Sequence, residues 1–455
     1  MVTHKIKKGY TIKLEGETIP EVLVSDTPKR FALQPSDFLR IKPKLAVVEG
    51  DTVSIGTVLF TDKENEKVKF LSPAAGKIES INRGERRIIK EIVIETGGEE
   101  SAVSFPKLSP KEISTRSRED IVNYLLDGGV WPCIRQRPFC KIANPQIVPR
   151  DIFISGLDTN PLAPDYSVLL TDEIEAFKTG VALLKKLTDG KVFLSIESAN
   201  TNNLNELKAI EGIEVHGFSG PHPAGNVSVQ IDRIAPMKRG DQLWYIYAPD
   251  VVVLGKLALG GKFPVDRIIA VAGSSVKEEK RRYYRTRLGV PVQALVQEGD
   301  LIDDEVRYLS GGVLQGREIG AAGYVGFYDR VVTMIPENDE RSLLGWIYPG
   351  LKVESFSKTF LSKLFRPKKF IQDTRMHGGL RAFIQTGQYE RVMPLDIFPM
   401  HLVKSIMAED IEEMEGLGLL ECAPEDFALC TYICPSKINF GSYIQKGLDM
   451  IEREG

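Results

Sequence analysis

The sequence predicts a multidomain α+β protein, and three observations carry that prediction. The chain has 455 residues, whereas single cores rarely grow past about 250–300 residues. Residues 42–94 alternate β-branched runs with Gly-Asp and Pro-x-x-Gly punctuation, the chemistry of short strands and turns. From Asp151 strands and helices alternate, and from Phe356 the pattern reads as helical. These textures divide the chain into a β-rich unit (1–105), an α/β unit (106–258), a second short-stranded unit (259–335) and a helical unit (336–455).

Composition narrows the function classes. Hydrophobic residues make up 42% and charged residues 27%, ordinary values for a globular protein. A net charge of −3 lacks the basic excess of a nucleic-acid binder. Five cysteines, an odd number, fit a reducing compartment better than a disulfide framework. Met1 to Lys8 has charge but no apolar core, so no secretory signal is expected. No run approaches the ~18 apolar residues of a membrane span. Val251–Gly261 comes nearest, and Lys256 interrupts it, so membrane contact is expected through a partner.

In the first unit, Val47-Val48-Glu49-Gly50-Asp51-Thr52-Val53, Gly56 and Ser72-Pro73-Ala74-Ala75-Gly76 resemble the barrel-sandwich fold of biotinyl and lipoyl domains. Thr61-Asp62-Lys63 stands near the place of the modified lysine in such carriers. A solvated hairpin tip is the expectation here, because the Asp62–Lys67 charge run belongs in water.

A helix follows, capped by Ser117, with Glu119 and Asp120 at its positive end. Ile121, Val122, Leu125 and Leu126 form its apolar face, and Gly128 stands where it would stop. Next come the strand Ile152–Ser155, a helix from Thr171 to Leu187, the strand Val192–Ile196, a helix over Leu204–Ile210 and the strand Ile213–Phe218. Leu243–Tyr247 and Ile268–Val271 continue the series. Such alternation implies βαβ units, a parallel Rossmann-like sheet and ligands at the carboxyl ends of its strands. Residues 265–316 read as short β segments around a basic helix, Lys277–Arg287. Leu402–Met407 and Ile411–Leu420 read as amphipathic helices joined through Ala408-Glu409-Asp410.

Several chemistries can be weighed on spacing. The strand Ile152–Ser155 leads into Gly156-Leu157-Asp158-Thr159-Asn160-Pro161, without the G-x-G-x-x-G that dinucleotide binding needs. Cys430 and Cys434 are spaced C-x₃-C with Cys422 upstream, and only the distant Cys133 and Cys140 remain to complete a cluster. Ordinary buried thiols are the expectation. His216 and His222 have Glu211, Glu214 and Asp232 nearby, but no metal-ligand spacing. Gly220-Pro221-His222-Pro223-Ala224-Gly225-Asn226 reads as a rigid turn, or as the wall of a cleft in which His222 donates to a carbonyl oxygen.

The segment Asp127–Lys141 is the richest. Trp131, Arg135, Arg137, Phe139 and Lys141 occur in it beside two prolines. One reading is a packed interdomain linker with its cations paired and its aromatics buried. The other is a site for an aromatic, oxygen-bearing ligand or an anionic patch on a partner, in which a planar ring lies against Trp131 or Phe139 and a guanidinium meets the oxygens.

The run GGVWPCIRQRPFCK, with Pro149-Arg150-Asp151-Ile152-Phe153 and Asp158-Thr159-Asn160-Pro161-Leu162-Ala163, resembles the NqrA family, the A-type subunits of the Na+-translocating NADH:quinone oxidoreductases. So do Ile6-Lys7-Lys8-Gly9, the Gly220–Asn226 run, Tyr389–Ile397 and Asp426–Cys430. The resemblance implies a β-grasp (SLBB-type) third unit and a C-terminal helical domain. It implies a peripheral subunit at the cytoplasmic face of the bacterial inner membrane, docked on the integral-membrane B-type subunit of a six-subunit complex. That complex passes electrons from NADH to ubiquinone or menaquinone and exports Na+. The A-type subunit itself would hold no tight cofactor, with flavins and an iron–sulfur centre in partner subunits. Trp131, Arg135, Arg137, Phe139, Lys141 and His222 would lie near the quinone or the interface with the B-type subunit. In related redox subunits a glycine-rich flavin loop follows the Ser117 helix; here Gly128-Gly129 lead into Val130, Trp131 and Pro132, which implies that this cofactor site is lost. Two alternatives stand beside this reading: a scaffold that only clamps the B-type subunit, and a flavin or iron–sulfur NADH dehydrogenase subunit.

Overall fold

Ser117 starts the helix Arg118–Asp127 by a reciprocal cap. Its hydroxyl accepts from the Asp120 amide at 3.1 Å, and the Asp120 carboxylate accepts from the Ser117 amide at 3.1 Å, which satisfies two otherwise unpaired donors. Gly128 ends the helix in right-handed backbone, and it is Gly129, at φ +65°, that makes the left-handed turn. The computed structural model describes residues 1–97, 100–198, 207, 210–338, 349–351, 353–365, 367–376, 379–384 and 387–454.

The α/β unit is built on a six-stranded sheet. Its order is Val2–Lys5, Glu214–Ser219, Val192–Glu197, Ile152–Gly156, Leu243–Tyr247, Arg135–Arg137. All neighbours are parallel except the last pair. The central strands are apolar on both sides, as a sheet covered on both faces requires. Phe153, Phe193 and Leu243 pack against Val227 and Ile231 of the helix Val227–Ile234. The helices Ile174–Lys185 and Ala248–Gly260 cross closely: a Cβ on Gly255 would stand 1.7 Å from the Ala176 carbonyl oxygen. Thr171 does not cap the first of these helices. It begins at Ile174 after Glu173, while the Thr171 hydroxyl donates to the Ser167 carbonyl oxygen. The expected helix Leu204–Ile210 lies outside the described residues apart from Leu207 and Ile210.

A second six-stranded sheet corrects two expectations. Its order is Arg317–Glu318, Val306–Ser310, Val331–Pro336, Asp266–Ala272, Tyr283–Arg287, Val22–Val24. Ile268–Val271 therefore belongs here and does not continue the α/β series. Lys277–Arg287 is no helix: after a 3-10 turn at Glu278–Lys280 the chain becomes the strand Tyr283–Arg287. The expectation is a basic helix, but Tyr283, Tyr284 and Thr286 are buried in a strand paired with its neighbour, and such residues favour a pleated surface.

The barrel-sandwich unit pairs Arg30–Leu33, Ile89–Thr96, Gly76–Arg83 and Thr52–Val53 in one sheet. Pro43–Leu45, Val58–Asp62 and Lys69–Leu71 form the other. Phe60 and Phe70 stack at 4.4 Å in its core, and the turn after Asp62 is an exposed run carrying Lys42–Glu64 and Lys44–Glu66 ion pairs.

Towards the C-terminus the helices are Pro399–Ala408, Ile411–Gly416, Ala428–Ile433 and Phe440–Glu454. The expectation of helix from Phe356 onward fails before Pro399. The described residues there hold only the short helix Ser362–Phe365 and a 3-10 turn at Tyr389–Arg391, and Pro367, Gly379, Gly387 and Pro394 explain the interruption. One thread joins the units: Val2–Lys5 lies in the first sheet, Val22–Val24 in the second and Arg30–Leu33 in the barrel sandwich. Between them Gly16 (φ +107°) passes Gly273 (φ +112°), whose amide donates to the Gly16 carbonyl oxygen at 2.8 Å.

Candidate ligand and interface site

The segment after Gly129 is a sheet edge. A 3-10 turn at Trp131–Cys133 delivers the strand Arg135–Arg137, which pairs antiparallel with Leu243–Tyr247. Alternation then sorts the side chains. Gln136 faces one way and accepts from the Asn144 amide at 2.7 Å; Arg135 and Arg137 face the other, flanking Tyr245 at 4.8 and 5.1 Å.

Trp131 is 0% exposed. Its indole N–H donates to the Ala143 carbonyl oxygen at 2.7 Å, and it meets Trp244 edge to face. It offers no open face to a planar ligand. Arg137 is equally buried, donating to the Cys422 carbonyl oxygen at 3.2 Å and to Glu425 at 3.4 Å. It also donates to Cys140 Sγ at 2.7 Å, and burial pushes that thiol up to about 11.

Arg135 is half-buried in a cage of three tyrosines. Its guanidinium stands 4.8 Å from the ring centre of Tyr245, 4.9 Å from Tyr247 and 4.6 Å from Tyr328. Each such contact contributes about 0.5–2 kcal/mol. Tyr328 comes from the second sheet's unit and donates its hydroxyl to the Pro132 carbonyl oxygen at 2.7 Å. Arg135 Nε is buried without a hydrogen-bond partner among the described residues. Glu425 acts electrostatically on Arg135, Arg137 and Asp158 alike.

Phe139 and Lys141 form a separate, half-buried group. Phe139 (φ +78°) lies 5.5 Å from the Arg40 guanidinium and 5.8 Å from the Lys141 ammonium. Arg40 and Lys141 both pair with Glu452 of the C-terminal helix, and Arg40 also pairs with Asp449.

His222 stands beyond the end of Glu214–Ser219, apart from these groups. It is 2% exposed, and burial lowers its pKa to about 4, so the imidazole is neutral. Thr159 Oγ1 accepts from the Gly225 amide at 2.9 Å and lies 3.2 Å from His222 Nδ1. The hydroxyl has a second lone pair and its own proton, so it can partner either tautomer of the neutral ring. Nε2 is buried with no partner among the described residues.

Sequence reasoning missed the carboxylates and tyrosines that organise this region. Asp426 accepts from Asn226 Nδ2 at 2.9 Å and the Ala423 amide at 2.8 Å, and burial raises its pKa. Tyr245 and Tyr247, two apart on one strand, were a readable signal; Tyr328 carried none. His4 Nε2 lies 3.1 Å from His216 Nδ1. Among the described residues no group of three or more His, Cys, Asp or Glu is placed to hold a metal ion. The five cysteines are free, and Cys133, Cys422, Cys430 and Cys434 are buried.

Comparison with known proteins finds family matches at three places between residues 4 and 320. The family described as NqrA N-terminal barrel-sandwich hybrid domain matches residues 4–97, and the NqrA second alpha/beta domain matches residues 116–263. The NQRA C-terminal domain matches residues 268–320. Among curated proteins, the A subunit of the Na(+)-translocating NADH-quinone reductase of Yersinia pseudotuberculosis serotype O:1b is 39% identical, over 99% of this chain and 100% of that protein. Its counterpart in Psychromonas ingrahamii is 40% identical over 99% of each chain.

Proposed function

The chain belongs to the NqrA family, the A-type subunits of the Na+-translocating NADH-quinone reductases, and from that premise we propose that it is the peripheral subunit that helps to form the quinone-binding region. It is one subunit of a multisubunit enzyme and acts with the others. In this reading it docks on the integral-membrane B-type subunit at the cytoplasmic face, within a complex of six subunits. The complex couples NADH oxidation and the reduction of ubiquinone or menaquinone to Na+ export, with flavins and an iron–sulfur centre in the partner subunits. No helix of the described residues is long and apolar enough to cross a membrane, which supports contact through a partner. The division at 105, 258 and 335, the Rossmann-like ancestry of the α/β unit and an autonomous C-terminal helical domain are part of the same proposal.

The observation that carries the quinone reading is Arg135. Its charge is held in place by three rings, a fixed cation of the kind that would stabilise an oxygen gaining negative charge. The neutral His222 has its Nε2 buried without a partner among the described residues, and in the Nε2–H tautomer it would donate to a carbonyl oxygen. Phe139 and Lys141 offer a half-buried ring and cation, while Trp131 and Arg137 hold the frame from inside. Photoreactive quinone analogues in the intact complex provide the test. Labelling within residues 127–141 or at His222 is expected, and its absence sinks the site.

A second reading, a scaffold that clamps the B-type subunit without touching ligand, is favoured by the complete burial of Trp131 and Arg137 and by the Lys141–Glu452 pair. It predicts that substitution of Arg135 abolishes assembly. The quinone reading predicts intact assembly with altered quinone kinetics.

A further inference from the structure

Among the described residues, the outer edge of the first sheet is open: Val2–Lys5 is the terminal strand and pairs only with Glu214–Ser219. The Ile6 amide donates to the Ser219 carbonyl oxygen at 2.8 Å. In a parallel ladder alternate residues turn both backbone groups to the same neighbour. Val2, His4 and Ile6 therefore face inward, and Thr3, Lys5 and Lys7 present their N–H and C=O groups outward. Such an edge is a template for another strand.

A cleft of about 600 Å³ runs along this edge from Thr3 to Lys8. Its far wall is Pro394-Leu395-Asp396 with the end of the helix Val227–Ile234. That wall is tied together: Arg233 donates to the Pro394 carbonyl oxygen at 3.0 Å and stands 3.4 Å from Asp232. Lys5, Lys7 and Lys8 are exposed, and among the described residues none has a carboxylate partner. The four residues Thr3–Ile6, which run to the last ladder bond, give an extended partner roughly 13 Å of contact.

We propose that this edge receives an extended, acidic segment of a partner subunit as an added strand. Main-chain hydrogen bonds to Thr3, Lys5 and Lys7 fix its register, and its carboxylates meet the three unpaired lysines. The proposal rests on the chain being one subunit of a larger enzyme. It does not use the quinone reading, which can fail without touching it.

Hydrogen exchange on the free subunit and the intact complex is the direct test. The Thr3, Lys5 and Lys7 amides should exchange freely alone and slow at least tenfold on assembly, with the inward His4 and Ile6 amides as internal controls. Equal, fast exchange in both states overturns the proposal. Lys5→Pro removes only an outward N–H, so the pairing with Glu214–Ser219 survives. It should weaken assembly about tenfold relative to Lys5→Ala, a loss of ~1.4 kcal/mol. Should Lys5→Pro lower the melting temperature of the free subunit, the combined Lys5→Glu, Lys7→Glu and Lys8→Glu variant replaces it. That variant should also lose about tenfold, and assembly indifferent to both changes overturns the idea. Self-association of the free subunit through this edge, detected by sedimentation and abolished by Lys5→Pro, equally overturns it in favour of a second copy.

Discussion

Trp131 meets Trp244 edge to face, with ring centroids 5.4 Å apart. One indole follows the helix Arg118–Asp127 and the other lies in the strand Leu243–Tyr247, so the contact fixes where the sheet edge begins. Trp131→Ala should cost about 3–5 kcal/mol, the range for a fully buried aromatic. Trp131→Phe should cost less and mainly through the Ala143 carbonyl oxygen, left unpaired at about 1–3 kcal/mol. Urea denaturation of the free subunit measures both.

Arg135 and Arg137 should separate function from folding. Arg137→Ala strands Glu425 beside a buried void and should lose about 3–5 kcal/mol. Arg135→Lys keeps a charge in the cage but loses the planar fork. It should leave assembly intact and raise the KM for quinone severalfold. Reduced assembly, with a normal KM in the fraction that does assemble, speaks for the clamp.

His222 ordinarily would titrate near 6.5, and burial lowers it to about 4. The unfolded chain then binds this proton more readily than the folded one. Stability is complete above about pH 6.5 and is lost as pH falls toward 4, at up to ~1.4 kcal/mol per pH unit. Denaturation midpoints between pH 7 and 4.5 should show this acid limb, and His222→Gln should flatten it. Identical slopes in both proteins would count against a buried neutral imidazole.

Gly273 and Gly320 make a matched pair. A Cβ on Gly273 would stand 1.9 Å from the Met334 carbonyl oxygen at φ +112°, whereas Gly320, at φ +66°, has open space around it. Gly320→Ala should cost about 1–2 kcal/mol, the left-handed penalty alone. Gly273→Ala should cost clearly more, because backbone has to move. Thermal melting of the two variants compares them directly.

The sequence was most legible where the determinants are local. Ser117 and Asp120 lie three residues apart, and the apolar run Leu243–Tyr247 announces its own strand. Legibility fell where charge and partner disagreed: Lys277–Arg287 reads as a basic helix, whereas Tyr283 and Tyr284 pair with the strand Asp266–Ala272. The site suffered most. Arg135 was readable as a cation among aromatics, but its cage takes Tyr328 from another sheet and its electrostatic neighbour Glu425 from the C-terminal section. Nothing within a few residues of Arg135 encodes either. Trp131 shows the converse: a ring that looks suited to stacking on a ligand is spent on Ala143 and Trp244.

The thread that joins the units also sets a timetable for biosynthesis. Val2 waits for His216, and Val22 waits for Tyr283, before either can pair. At ordinary elongation rates of about 5–20 residues per second, the first strand has no neighbour for roughly 10–40 s after it leaves the ribosome. The barrel sandwich can close early, but both flanking sheets stay one strand short until the nascent chain returns to its own beginning. Permutants that move Val2–Lys5 behind Ser219 should mature faster during translation, at the expense of the covalent tie that holds three units in register.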